Sequence, residues 1–191
     1  MCGIAGFYNP HDHYLKEKEH CGEILKSMAQ CQKHRGPDDA GLFLSEHGGL
    51  SHARLSIIDL AGGHQPMVKS GSGQTFAIVY NGELYNTCEL RQELLGRGLV
   101  FQTSSDTEVI LAGYMEFGPD FVKRLNGIFA IAILDTAKTV CACSVTGQAS
   151  NPCSIWSGER KSSFPPNPRE SLLTPGYVRP WIKKGLMRFS P

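Results

Sequence analysis

The 191-residue chain has little that would commit it to a special environment. Its formal net charge is only +1, so no surface of one sign points to nucleic acid or to an acidic membrane. No apolar run approaches the ~20 residues that a bilayer-spanning helix requires. No basic stretch followed by an apolar one opens the chain, as a secretory signal would. The seven cysteines, at positions 2, 21, 31, 88, 141, 143 and 153, are odd in number and irregular in spacing. Without a secretory signal they read as cytoplasmic thiols rather than a disulfide framework. Cys141, Cys143 and Cys153 have no His or Cys partner pair at finger-like spacing, so no metal site is expected. There are no internal repeats. What remains is 41% hydrophobic, enough for one domain with a sizeable core, or one domain and a tail.

The pattern along the chain mixes strands and helices. Residues 1–8 read as a buried strand, and His20 to Gln32 as an amphipathic helix with Ile24, Leu25, Met28 and Ala29 at helical spacing. His34-Arg35-Gly36-Pro37-Asp38-Asp39 is a turn-rich loop. Two strands are expected at 41–45 and 49–56 around Glu46-His47-Gly48, then an irregular stretch to Met67. Thr75 to Tyr80 is a buried strand that Asn81-Gly82 is expected to break. Asn86 to Arg97 reads as a helix with Leu90, Leu94 and Leu95 on one face. Ser105 or Asp106 is placed to cap a further helix, with Glu108 at capping-box distance from Ser105. Phe129 to Leu134 is the last clear strand. Beyond about residue 139 the texture changes: seven of the eleven prolines and both tryptophans lie past residue 150, with no period of 2 or 3.6. Residues 140–191 therefore read as a divergent, disordered or weakly packed tail, and 1–139 as the domain.

The chain opens Met1-Cys2-Gly3-Ile4-Ala5-Gly6. If the initiator methionine is removed, Cys2 carries a thiol and a free α-amine that titrates near neutral pH. Nucleophile and base then share one residue, the arrangement of hydrolases that use an N-terminal nucleophile.

Six ordered segments give this opening a context: Met1 to Gly6, His34-Arg35-Gly36-Pro37-Asp38, His52 to Asp59, Tyr80 to Asn86, Ser105 to Ile110, and Leu125-Asn126-Gly127-Ile128-Phe129-Ala130. Together they resemble the glutaminase domain of glutamine-hydrolysing asparagine synthetases, a class II glutamine amidotransferase domain of the N-terminal nucleophile hydrolase type. The resemblance covers about residues 1–138. It implies an α+β, four-layer αββα sandwich. It implies L-glutamine as substrate, with Cys2 attacking the side-chain amide and passing through a thioester. Asn81 and the Gly82 backbone N–H would form the oxyanion hole. Arg54 would hold the substrate's carboxylate through its planar fork and Asp106 its ammonium, with Leu55, Ser56, Ile57, Ile58 and Glu83 lining the pocket. No cofactor is implied for this step; ATP and magnesium would belong to a synthetase domain absent from this sequence, or to a homologous chain that accepts the ammonia. The Arg-Gly-Pro-Asp loop reads as a structural tie, and His52 and His64 as structural or surface residues, because a free α-amine leaves no work for a further base.

The family's next strand carries an Arg-Asp-Arg-x-Gly-like segment, whereas Thr139 to Ser144 starts in the right place and departs. The expected scaffold is therefore incomplete at its C-terminal end. That leaves an alternative reading, a non-catalytic truncated or frame-shifted fragment that binds glutamine weakly or associates with a homologue.

Overall fold

A computed structural model describes residues 2–55, 63–71 and 73–136, together with the strand backbones at 140–145, 153–157 and 187–188. Its elements run β1 (Gly3–Tyr8), α1 (Lys18–Cys31), β2 (Asp39–Leu44), β3 (Gly48–Arg54), β4 (Met67–Gly71), β5 (Gln74–Leu84), α2 (Thr87–Gly96), α3 (Asp106–Phe117), β6 (Gly127–Asp135), β7 (Val140–Val145), β8 (Cys153–Ser157) and β9 (Met187–Arg188). They form two sheets, ordered β2-β3-β1-β8 and β4-β5-β6-β7-β9. Pairing is antiparallel throughout except between β1 and β8, which run parallel.

Side chains alternate across a strand, and the alternation here sorts three apolar layers. On β5 and β6, Phe76, Ile78, Tyr80, Phe129, Ile131 and Ile133 pack against α2 and α3. The intervening Ala77, Val79, Ala130, Ala132 and Leu134 meet Ile4, Tyr8 and Leu50 of the other sheet. On β1, Ala5 and Phe7 face the opposite way, toward Cys21, Leu25 and Met28 of α1. Helix, sheet, sheet, helix is thus written into period-two strands whose two faces are both apolar. Bulky residues line the helix-facing side and small ones the inner side of β5 and β6, which lets the second sheet approach.

Four expectations change in detail. Asn81-Gly82 does not break β5: the strand runs on to Leu84, with Asn81 opposite Ala130 and Gly82 opposite Phe129. Four further ladder pairings outweigh the local turn preference of Asn-Gly. Leu95 is 44% exposed, since it lies one residue past the Leu90–Leu94 stripe that α2 buries. Ser105 is the N-cap of α3 and accepts from the Glu108 N–H, but Glu108 does not return the bond. Its carboxylate reaches past the cap to the N–H groups of Gln102 and Thr103. Val140–Val145, placed beyond the domain by sequence, pairs with β6 from Ala130 to Asp135.

Candidate active site

Cys2 lies at the start of β1. Its Sγ receives the Leu55 N–H at 3.4 Å and faces the Leu55 carbonyl oxygen at 3.7 Å. Its own carbonyl accepts from Arg35 Nε at 3.3 Å. Arg35 belongs to the loop between α1 and β2. A Cβ on Gly36 would stand 2.2 Å from the Ala53 carbonyl oxygen, so glycine lets this loop pass under the end of β3. Asp38 N–H then donates to the Arg54 carbonyl at 3.0 Å. One loop therefore fixes the backbone of both Cys2 and Arg54, two residues that line the same cleft.

The facing wall is the far half of β5. Antiparallel hydrogen bonding alternates along a strand. Thr75 and Tyr85 bond across to the β6 side, so the N–H groups of Tyr80, Gly82 and Leu84 point to the other edge. There β4 pairs no farther than Ile78. Beyond it the Tyr80 N–H is taken up by Gln65 Oε1 at 2.6 Å, and the Leu84 N–H by the Asp106 carboxylate. Between these two, the Gly82 N–H points to the same edge, and Gly82 lines the cleft. A Cβ at Gly82 would come within 2.3 Å of the Ile128 carbonyl oxygen and 2.5 Å of the Phe129 Cα, so close approach of β6 demands glycine here. Asn81, on the inner face with Ala77 and Val79, is buried beside it.

Asp106 opens α3 and closes the cleft. Burial pushes its carboxyl above the usual range, while the Tyr80 hydroxyl and the N–H groups of Thr107 and Leu84 pull down without cancelling that cost. Among the described residues no cation pairs with it. The cleft holds about 460 Å³, inside the range of ~300–1,000 Å³ typical of small-molecule sites. It brings together Cys2, Arg54, Leu55, Asn81, Gly82, Glu83 and Asp106 of the residues singled out from sequence. Ser56, Ile57 and Ile58 lie outside the described residues.

Gln65, Tyr80, Tyr85, Thr107 and Ile128 also line it, and sequence reasoning missed them. The role of Gln65 comes from capping a strand edge that only the topology exposes; its amide also donates to Thr107 Oγ1 at 3.3 Å. Two histidines flank the site. His52 is buried, and burial first, then the Arg54 charge, holds it at about 4, so it is neutral at neutral pH. His64 is exposed and pairs with Asp39 at 2.7 Å.

The layers and the cleft at the end of the inter-sheet space define an α+β sandwich of the N-terminal nucleophile hydrolase type. Two solved structures share the fold: the allosteric regulatory enzyme of purine biosynthesis (TM-score 0.56, 22% identity, 75% of this chain and 36% of that one) and glutamine phosphoribosylpyrophosphate amidotransferase from B. subtilis (TM-score 0.55, 21% identity, the same coverage). Residues 1–144 match the glutamine amidotransferase domain family, and the chain belongs to it. It is similar to asparagine synthetase [glutamine-hydrolyzing] 3 of Bacillus subtilis, 41% identical over 140 residues, covering 73% of this chain and 22% of that protein. Asparagine synthetase B of Escherichia coli is 40% identical over 138 residues, covering 72% of this chain and 24% of that protein. The chain thus spans under a quarter of the length of these relatives. No helix among the described residues is long and apolar enough to cross a membrane.

Proposed function

We propose that this chain hydrolyses the side-chain amide of L-glutamine to glutamate and ammonia. The observation that carries the reading is one cleft lined by a thiol, a buried carboxamide beside the Gly82 backbone, an arginine and a carboxylate that has no cation among the described residues. With Met1 removed, the Cys2 thiolate attacks the amide carbon; a C–S bond forms and the carbonyl π pair moves to oxygen. The Leu55 N–H lies against the sulfur, and the Asn81 amide and Gly82 N–H receive the oxyanion. The α-ammonium of Cys2 gives its proton to the leaving nitrogen, the C–N bond breaks, and ammonia departs. Water, deprotonated by the same amine, then cleaves the thioester and restores the thiol. Arg54 holds the substrate's carboxylate and Asp106 its ammonium, with Leu55 and Glu83 lining the pocket; Ser56, Ile57 and Ile58 complete it in this reading.

No cofactor enters these steps. The ammonia is destined for ATP- and magnesium-dependent asparagine synthesis by a synthetase domain or partner chain, in the cytoplasm. The alternative of a non-catalytic fragment is not favoured, because the three apolar layers and the cleft come together within the residues that match the family.

The test is glutamate release from glutamine by the purified chain, with its intact mass recorded. Protein lacking Met1 should turn over, and Cys2→Ala should lose activity by at least about a thousandfold. A folded chain without Met1 that makes no glutamate, or a Cys2→Ala variant as active as the parent, overturns the proposal.

A further inference from the structure

At the end of the first sheet opposite the cleft, the loop after β1 meets the turn between β2 and β3. The six residues of β1 put roughly 20 Å between this place and Cys2. Two backbone bonds dock loop on turn: Asn9 N–H to the His47 carbonyl at 2.9 Å and Tyr14 N–H to the Glu46 carbonyl at 2.8 Å. The docking gathers His13, Glu46 and His47, one ligand-type atom of each lying within 4.8 Å of the others. His13 Nδ1 is 2.6 Å from Glu46 Oε1, and His47 Nε2 is 3.8 Å from Glu46 Oε2. Ligand atoms around a tetrahedral zinc ion, with bonds of ~2.0–2.1 Å, stand about 3.3 Å apart, between those two spacings.

The orientation of His47 adds a second observation. Its Nδ1 lies 2.7 Å from the Asp12 carbonyl oxygen, which can only accept. Nδ1 is therefore the donor, and Nε2 is the ring nitrogen turned toward Glu46. Metal-bound imidazoles are typically fixed by such a bond from the other ring nitrogen.

We propose that His13, Glu46 and His47 form a binding site for a divalent transition metal of the zinc class, with water completing the shell. Two imidazole nitrogens and one carboxylate suit zinc, cobalt, nickel or copper, and disfavour magnesium and calcium, which take oxygen ligands. His13 and Glu46 are about half exposed, so the ion enters without opening the fold. Because the loop is already docked, binding costs little ordering. The ion clips the loop to the turn and acts on stability, not on chemistry in the distant cleft. The sequence hides the site: His-Asp-His and Glu-His are separated by more than thirty residues and meet only through the β1–β3 pairing.

The test is titration of the full-length chain with Zn2+ and, for spectroscopy, Co2+, on the parent and on Glu46→Gln, His47→Ala and Cys2→Ala. Glu46→Gln keeps the shape of the turn should His47→Ala loosen it. One equivalent should bind in the parent and in Cys2→Ala, without the near-ultraviolet band of thiolate ligation and without competition from millimolar Mg2+. That equivalent should be lost in Glu46→Gln and His47→Ala, and Zn2+ should raise the Tm of the parent but not of Glu46→Gln. Undiminished uptake in Glu46→Gln, loss of uptake in Cys2→Ala, a thiolate band, or no uptake by the parent overturns the site.

Discussion

The first turn of α3 carries two carboxylates two residues apart, Glu108 buried and Asp106 half-buried, and the protein treats them in opposite ways. Burial alone would push both up. On the side facing β4, Glu108 is 1% exposed yet held down at about 2 by Lys69 Nζ at 2.7 Å, by the N–H groups of Gln102 and Thr103 at 2.9 and 2.6 Å, and by the Thr103 hydroxyl at 2.7 Å. On the cleft side, Asp106 is left raised and, among the described residues, without a cation. In the proposed reading, the carboxylate with its own cation serves the scaffold, and the one without it awaits a cation brought by a ligand. The comparison predicts that cleft-side substitutions change turnover with little loss of stability, and that sheet-side substitutions do the reverse.

The largest effect is expected across the cleft at Asn81. Losing one oxyanion donor costs ~2.7–4 kcal/mol, a fall in kcat of about 10²–10³. Asn81→Ala should show that fall with KM changed little and Tm within a few degrees of the parent, measured by steady-state glutaminase kinetics and thermal melts. A drop in Tm matching the loss of rate would make Asn81 scaffold and erase the contrast.

Next comes Glu108. A carboxyl moved from 4.5 to about 2 contributes on the order of 3 kcal/mol of stability at neutral pH. Because the folded value is the lower one, this contribution is full above about 4.5 and disappears as pH falls toward 2. Glu108→Gln should therefore lower the urea midpoint at pH 7 and flatten its decline between pH 4.5 and 2. An equally steep acid decline in parent and variant would show that Glu108 is not the group responsible.

The two carboxylates also mark how far the sequence could be read. Continuous apolar runs at 75–80 and 129–134 give the central strands, because a strand buried on both faces needs nothing beyond its own side chains to announce itself. The Ser105 cap of α3 was legible for the same local reason. Cys2, Arg54, Asn81, Gly82 and Asp106 were picked out through motif resemblance, and they line one cleft. What stayed hidden is set by strand edges and pairings. The persistence of β5 through Asn81-Gly82 depends on β6, and the place of Gln65 depends on where β4 stops. The reach of Glu108 to Lys69 likewise depends on the β4–β5 pairing. None of these leaves a mark in local spacing.

The smallest and most discriminating effect is expected at Asp106. Its folded value is raised above 3.8, so the protein is more stable with this carboxyl protonated, and stability declines as pH rises through the folded value. The ionised group is a cost that the Tyr80 hydroxyl and the neighbouring N–H groups offset only in part, and in the proposed reading a bound ammonium offsets the rest. Asp106→Asn removes that cost, so the ligand-free variant should melt at the parent's temperature or above it at pH 7. In the proposed reading the same change removes the partner of the substrate's ammonium, and it should raise KM about 10–100-fold, equivalent to ~1.4–2.7 kcal/mol. In a Cys2→Ala background, where glutamine is not consumed, adding glutamine should raise the Tm of the chain that keeps Asp106 more than that of the Asp106→Asn double variant. If Asp106→Asn instead destabilises as Glu108→Gln does and leaves KM unchanged, the two carboxylates are one kind of residue and the socket reading fails.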